Sequence, residues 1–447
     1  MSGIAQLLLA YGYRVSGSDL KENRITQELE RSGAQIFSGH APGNINGSDV
    51  VIYSSAIREN NPEVVEAKRQ GLPLVMRAQA LATLMQDKTV ITIAGSHGKT
   101  TTTSLVSYLL LEAGLFPTVA IGGILKNIET NACLGRGKFF VAEADESDGS
   151  FLNYKPKYSI ITNIDREHLD YYKSFAREIE AFKLFISRTK PGGCVFYSSD
   201  DLNLVKLMKQ YKNKSISFGL KKKALIHPEN IKFNGLSSAF DCIFKDKFVG
   251  NFNLALGGEH NISNALAVIA LGLDLGIDLN FIKKALCGYK GARRRLEIRL
   301  ANNDYTVIDD YAHHPNEIQA TLKAVKKMKY NKLIVVFQPH RYTRTQLLLD
   351  NFAESFSGVD YLVITDIYAA SEQPIAGVSA DLLFRKVKES GRNKKVRCLS
   401  KDKIVEHILE IIKPGDLVIT LGAGDIVKVS DELAERIESK GKLSLKK

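Results

Sequence analysis

The sequence predicts an α/β protein of several domains built on mostly parallel sheets, and three observations carry that reading. Short apolar runs recur along the chain with helix-patterned segments between them. One of these runs ends in a glycine loop followed by Lys-Thr at the start of a helical stretch. A chain of 447 residues is too long for one hydrophobic core, and three domains suit its length.

The apolar runs fall at 50–53, 89–94, 139–142, 158–162, 332–337, 361–365 and 417–421, and each reads as a strand buried on both faces. Between 213 and 256 the pattern changes to short alternating segments, 215–218, 240–244 and 248–256, separated by turn residues. These predict a small antiparallel addition within the middle domain. A boundary is expected near 86–88, before the strand that leads to the glycine loop, and another near Arg295, where a basic knot precedes fresh strands. The predicted domains are therefore 1–87, 88–295 and 296–447, with Rossmann-like first and third domains around a central phosphate-loop domain.

Composition narrows the class. The chain is 44% hydrophobic and 25% charged, with no Trp, which is the profile of a globular protein. No apolar stretch reaches the roughly 18–20 residues a membrane helix needs. Five scattered cysteines show no paired spacing and point to a reducing cytoplasm rather than a disulfide framework. The net charge of +12 raises the question of nucleic acid, but the lysines are dispersed and no nucleic-acid signature is present. The charge reads as a solvated surface.

The strongest local signal is the strand at 89–94 running into Gly95-Ser96-His97-Gly98-Lys99-Thr100-Thr101 and then a helix. Glycines let backbone N–H groups close around phosphate oxygens, and the helix N-terminus adds positive potential. Lys99 is placed to reach the outer phosphates and Thr100 to hold Mg²⁺. Only two residues separate the glycines, so the general G-x-x-x-x-G-K-[ST] spacing is not met. Two acidic clusters follow, Glu143 to Asp148 and Asp165 to Asp170 with His168 inside the second, each after an apolar run. Ligands of open α/β sheets bind at strand C-termini, so these clusters are expected to converge on a metal beside the loop. The plainer reading of any one acid is a helix cap.

At this point the chain resembles the Mur ligase family, whose shortened phosphate loop reads G-T-x-G-K-T and accounts for the spacing variant. The resemblance runs from residue 2 to Asp425 through Gly17-Ser-Asp19, Ser54-Ser-Ala-Ile57, Gly122-Gly123, His168-Leu-Asp170, Gly257 to Asn264, Arg294-Arg295, Asp309 to Pro315, Gln338 to Thr345 and Gly422 to Asp425. It implies an ATP-dependent, Mg²⁺-dependent ligase of cell-wall precursor synthesis, and the arginine motif points to the branch that takes UDP-N-acetylmuramic acid and L-alanine. Carried over by position, Gly95, Ser96, His97, Gly98, Lys99, Thr100 and Thr101 bind ATP phosphates, while Thr100, Glu143 and His168 hold metal. Glu143 ranks above Glu146 in that role. His260, Asn261 and Asn264 are expected around the adenine, although capping of a helix is their plain alternative. An arginine of the Arg294–Arg295 pair is expected at the γ-phosphate. Asp19, Ser54 and Ser55 are expected to meet the sugar nucleotide, and Tyr311, His313, Arg341 and Arg344 the amino acid.

The chemistry implied is attack of the lactyl carboxylate on the γ-phosphate, giving an acyl phosphate that the alanine amine then opens. His168, His313 and His314 are the candidate bases on their titration range alone. ATP and amino acid on different domains imply closure, with a hinge near Arg295. The family opens with a strand and glycine loop, whereas this sequence starts at Met1-Ser2-Gly3-Ile4-Ala5, so its first domain is expected to lack both and to bind sugar nucleotide weakly. Three competing readings are a ligase recycling a whole tripeptide, a dinucleotide-dependent oxidoreductase, and an inactive binding protein. The arginine motif disfavours the first, and the missing G-x-G-x-x-G disfavours the second. The active-site residue types disfavour the third.

Overall fold

The computed structural model describes residues 1–370, 372–393 and 395–444. The chain divides into two compact units. The first comprises Met1–Ile231, Ala239–Ala255 and Asn261–Lys290; the second comprises Lys232–Ser238, Leu256–His260 and Gly291–Lys447.

The first unit opens with the helix Ser2–Ala10, followed by two separate parallel pairs, Ser16–Asp19 with Gln35–Ser38 and Val51–Tyr53 with Leu74–Met76. Local chemistry sets the helices between them. Pro62–Gln70 starts at Asn61, whose side chain accepts from the backbone N–H of Glu63 and Val64, has Pro62 in its first turn, and stops at Gly71 with φ 69°.

The main sheet of this unit is mostly parallel. Thr89–Ala94 lies between Tyr158–Ile161 and Phe139–Glu143, and Thr118–Leu125 continues outward on the second side. On the other side Cys194–Ser198 pairs parallel with Tyr158–Ile161. All but the first residue of Thr89–Ala94 are buried, which is why that strand reads as an unbroken apolar run. The phosphate-loop helix, Lys99–Glu112, packs beneath it with Leu105, Val106, Leu109 and Leu110 fully buried. Helix Phe175–Ser187, capped by Ser174, buries Phe182, Phe185 and Ile186 around Phe151.

One predicted detail changes. Ser215–Phe218 is not part of the antiparallel addition; it pairs parallel with Cys194–Ser198 and extends the main sheet. The hairpin strands are Ile226–Asn234, Ser237–Phe244 and Lys247–Leu254, the first of which exposes the polar Asn230, Lys232 and Asn234 at alternate positions and so lacks an apolar run.

The second unit is a six-stranded sheet in the order Glu297–Ala301, Tyr305–Asp310, Asp416–Leu421, Leu333–Phe337, Tyr361–Ile364, Val396–Cys398. The last five run parallel and the first antiparallel. Leu333–Phe337 and Asp416–Leu421 are buried throughout, with the rings of Phe352 and Phe356 tilted against that of Phe337 in the core. Among the described residues no helix is long and apolar enough to cross a membrane.

Candidate active site

In the first unit, the strand Thr89–Ala94 delivers Gly95 (φ 126°) and Gly98 (φ 83°) to the sheet's C-terminal edge. A Cβ on Gly95 would sit 2.2 Å from Thr162 Oγ1, and one on Gly98 would sit 2.7 Å from Asn264 Oδ1, so both positions demand glycine for space as well as φ. The neighbouring strand's end pins the loop. Ser96 N–H donates to the Asn163 carbonyl (3.1 Å), His97 N–H to Asn163 Oδ1 (2.9 Å), and Thr162 Oγ1 to the His97 carbonyl (2.6 Å). The His97 ring lies 3.0 Å from Asp165 Oδ2.

Lys99 heads the following helix. Its Nζ donates to the Gly95 carbonyl (2.6 Å), the Ser96 carbonyl (3.1 Å) and Glu146 Oε1 (2.7 Å). Burial works to lower its pKa, but Glu146, Asp145 and Glu143 outweigh burial and hold the ammonium above the ordinary lysine range. Thr100 Oγ1 is 3.1 Å from both oxygens of Glu143, and Gly122 N–H donates to Glu143 Oε2 at 2.9 Å. A hydroxyl and a carboxylate of this kind are hard oxygen donors suited to Mg²⁺. Thr101 is buried in the first turn. His168, with φ 55°, is placed against Glu146 (3.7 Å) and Glu167 (3.5 Å). Glu178 is fully buried beside them, and burial followed by the charges of Glu146 and Glu167 pushes its carboxyl up to about 8.

Asn264 lies against Gly98, 3.4 Å from the Asn261 side chain, so these two predicted adenine residues are next to the phosphate loop. His260 belongs to the second unit, where burial and then the Arg295 charge push its pKa down to about 4. Asp19 is exposed at the end of one N-terminal strand, and Ser54 and Ser55 form a turn after another, closed by Ile57 N–H to the Ser54 carbonyl at 3.0 Å.

The second unit separates the two arginines that the sequence leaves equivalent. Arg294, with φ 61°, donates from Nε to Asp309 (2.9 Å) and from its terminal nitrogens to the carbonyls of Gly422 (2.5 Å) and Gly424 (2.9 Å). Its guanidinium is a clamp on the loop after Asp416–Leu421. The Arg295 guanidinium lies 5.0 Å over the Tyr311 ring and makes no hydrogen bond or ion pair among the described residues, while its backbone N–H donates to the Ala292 carbonyl at 3.2 Å. Asp310 accepts from the backbone N–H of Leu296 (2.6 Å) and Ala312 (2.9 Å), which holds the segment carrying Arg295 to the strand end; burial raises its pKa to about 6.

Tyr311, His313 and His340 form an edge-to-face series with centroids 5.4 Å apart at each step. Arg344 donates to His340 Nδ1 at 3.1 Å, whereas Arg341 Nε lies 4.0 Å from Glu372. The two arginines three apart therefore face different partners. His314 caps the helix Pro315–Val325, with Asn316 N–H directed at its Nδ1 (3.4 Å). His340 escaped the sequence reading although it stands inside the arginine motif, and Glu178 carried no signal because it occupies an ordinary helical position.

Comparison with known proteins gives a consistent result over the whole chain. Residues 1–89 match the Mur ligase family catalytic domain, 93–272 the Mur ligase middle domain, and 294–424 the Mur ligase glutamate ligase domain. The chain is 43% identical to the UDP-N-acetylmuramate–L-alanine ligase of Geotalea daltonii, over 98% of this chain and 95% of that one. The crystal structure of the UDP-N-acetylmuramate-alanine ligase of Thermotoga maritima superposes with a TM-score of 0.84 at 30% identity, covering 98% of this chain and 97% of that one. A murein peptide ligase from Psychrobacter arcticus shares the fold, with a TM-score of 0.70 at 24% identity over 97% and 95% of the two chains.

Proposed function

The chain belongs to the Mur ligase family, and from that premise we propose that it joins L-alanine to the lactyl carboxylate of UDP-N-acetylmuramic acid at the expense of ATP. The observation that carries this is the phosphate loop, in which a strand-to-helix turn with two obligate glycines presents Lys99 and the Thr100–Glu143 pair at one sheet edge. The relatives named for this reaction supply the substrate identity.

A carboxylate is a poor electrophile, so it attacks the γ-phosphate and leaves as an acyl phosphate with ADP as the other product. Lys99, kept charged by its carboxylate neighbours, moves from Glu146 to the phosphates and offsets their charge. The backbone N–H groups of the loop and the N-terminus of Lys99–Glu112 do the same without reorganisation. Thr100, Glu143 and His168 are the residues that would hold Mg²⁺, whose bound charge neutralises phosphate oxygens. Arg295 is the guanidinium left for the transferring phosphoryl group, while Arg294 positions the loop Gly422–Gly424.

The amine of L-alanine then attacks the acyl carbon, and phosphate departs from the tetrahedral intermediate. Tyr311, His313, His340 and Arg344 form the cluster that receives the amino acid, with the Arg344 charge matched to its carboxylate. Asn261 and Asn264 hold the adenine, and Asp19, Ser54 and Ser55 meet the sugar nucleotide. Phosphate release from ATP that requires both UDP-N-acetylmuramic acid and L-alanine supports this function; release with a tripeptide and not with L-alanine would replace it by the recycling reaction.

A further inference from the structure

Tyr368 stands at the amino-acid cluster of the second unit without a part in the steps above. Its ring stacks on that of His340, with centroids 5.7 Å apart and planes 12° from parallel. Two backbone hydrogen bonds hold it there. Tyr368 N–H donates to the Pro339 carbonyl and Arg341 N–H to the Tyr368 carbonyl, both at 2.8 Å, so His340 and Tyr368 sit opposite one another as an isolated parallel bridge. The Tyr368 hydroxyl makes no hydrogen bond among the described residues, which leaves the aromatic face as what this side chain supplies.

Gly424 closes against the same side chain. A Cβ there would lie 2.5 Å from Tyr368 Cγ and would also strike Gln338 Oε1. Gly424 is not among the glycines with positive φ, so space rather than backbone conformation requires glycine. The loop around it is fixed from two sides. Arg294 holds the Gly422 and Gly424 carbonyls, while Asp425 accepts from Gln338 Nε2 (2.9 Å) and pairs with Lys401. Lys401 follows the strand Val396–Cys398, and the sheet order puts Leu333–Phe337 and Tyr361–Ile364 between that strand and Asp416–Leu421. The Lys401–Asp425 pair therefore crosses over the ends of the two strands that lead to His340 and Tyr368.

His340 Nδ1 lies 3.1 Å from the Arg344 guanidinium. A guanidinium only donates, so Nδ1 is the nitrogen without a proton and must point at Arg344. The ring torsion of histidine is broad and does not by itself hold one orientation. A parallel ring at stacking distance blocks its rotation. We propose that Tyr368 is a positioning residue: its ring, seated on Gly424, holds the His340 imidazole in the plane from which Nδ1 aims Arg344. The consequence for alanine capture rests on the ligase reading, in which Arg344 meets the amino-acid carboxylate; the stack itself does not.

The test compares Tyr368→Phe, Tyr368→Leu and Gly424→Ala with the wild-type chain by two measurements. One is the NMR shift of the His340 ring protons, assigned by their loss from His340→Gln, which sense the current of a stacked ring. The other is phosphate release as a function of each substrate. Tyr368→Phe should leave both unchanged. Tyr368→Leu should move the His340 resonances and raise KM for L-alanine about 10-fold, with KM for ATP unchanged. Gly424→Ala should move the same resonances, and its effect on KM should not add to that of Tyr368→Leu. Gly424→Ala decides the matter where Tyr368→Leu fails to fold. The proposal is overturned if these variants leave the His340 resonances in place, if KM for L-alanine stays at the wild-type value or KM for ATP rises with it, or if Tyr368→Phe behaves as Tyr368→Leu does. A wild-type chain that releases no phosphate with L-alanine removes the ligase reading, and the resonances still decide whether Tyr368 holds His340.

Discussion

Lys99 Nζ lies 2.7 Å from Glu146 Oε1, so the lysine of the phosphate loop is paired with an acid that is wholly buried. Removing one partner of such a pair leaves a charge with neither water nor counterion. Lys99→Met is therefore expected to lower stability by about 3 kcal/mol or more, and a second change, Glu146→Gln, to restore most of it. Phosphate release should be absent from both variants. Urea unfolding midpoints check this; a Lys99→Met chain as stable as wild type would disprove the pairing.

Gly98 and Gly12 share a positive φ, 83° and 89°, but only Gly98 is crowded. Gly12→Ala has open space around the new Cβ and should cost about 1 kcal/mol, the price of the left-handed backbone alone. Gly98→Ala pushes a methyl to 2.7 Å from Asn264 Oδ1 and must displace either the loop or the asparagine. Its ATP affinity, measured by calorimetry, should fall at least about 10-fold, the equivalent of about 1.4 kcal/mol, while that of Gly12→Ala stays at the wild-type value.

Arg294 and Arg295 are adjacent but should fail differently. Arg294→Lys cannot reproduce the fork that reaches Asp309, Gly422 and Gly424 together, so its thermal midpoint should drop. Arg295→Lys should melt as wild type does, because the Arg295 guanidinium makes no hydrogen bond or ion pair among the described residues and a lysine keeps its charge, and lose about 100-fold in kcat. The reverse pattern would exchange the two roles.

His340 is held neutral by burial, then by the charges of His313, Arg344, Arg341 and Arg294, and its pKa falls from 6.5 to about 3. A lowered folded value means that the unfolded chain binds the extra proton between those two pH values. The stability it contributes is present above 6.5 and is lost as pH falls toward 3. Protonation also ends acceptance of the Arg344 hydrogen bond at Nδ1. His340→Gln should flatten the acid limb of the stability curve by an amount on the order of 2 kcal/mol. Equilibrium unfolding between pH 7 and pH 4 measures it, and parallel curves for the two chains would refute the assignment.

Residue order alone determined the α/β class, the parallel strands, the phosphate loop and the acid clusters after two strands, because these depend on periodicity and on spacing within a few residues. It also placed Asn261 and Asn264 in one helix turn, where their neighbourhood with each other follows from helical geometry. Tertiary structure decided the partners. Lys99 and Glu146 are 47 positions apart, and Arg294 and Gly422 are 128 apart, so no local pattern could rank Glu146 beside Glu143 or tell Arg294 from Arg295. The parallel pairing of Ser215–Phe218 was equally hidden, since its neighbour is set by sheet order rather than by its own alternation. Glu178 shows the limit most plainly: on the helix it is one acid among others, and only packing buries it against Glu146 and Glu167, where desolvation and like charge change its chemistry.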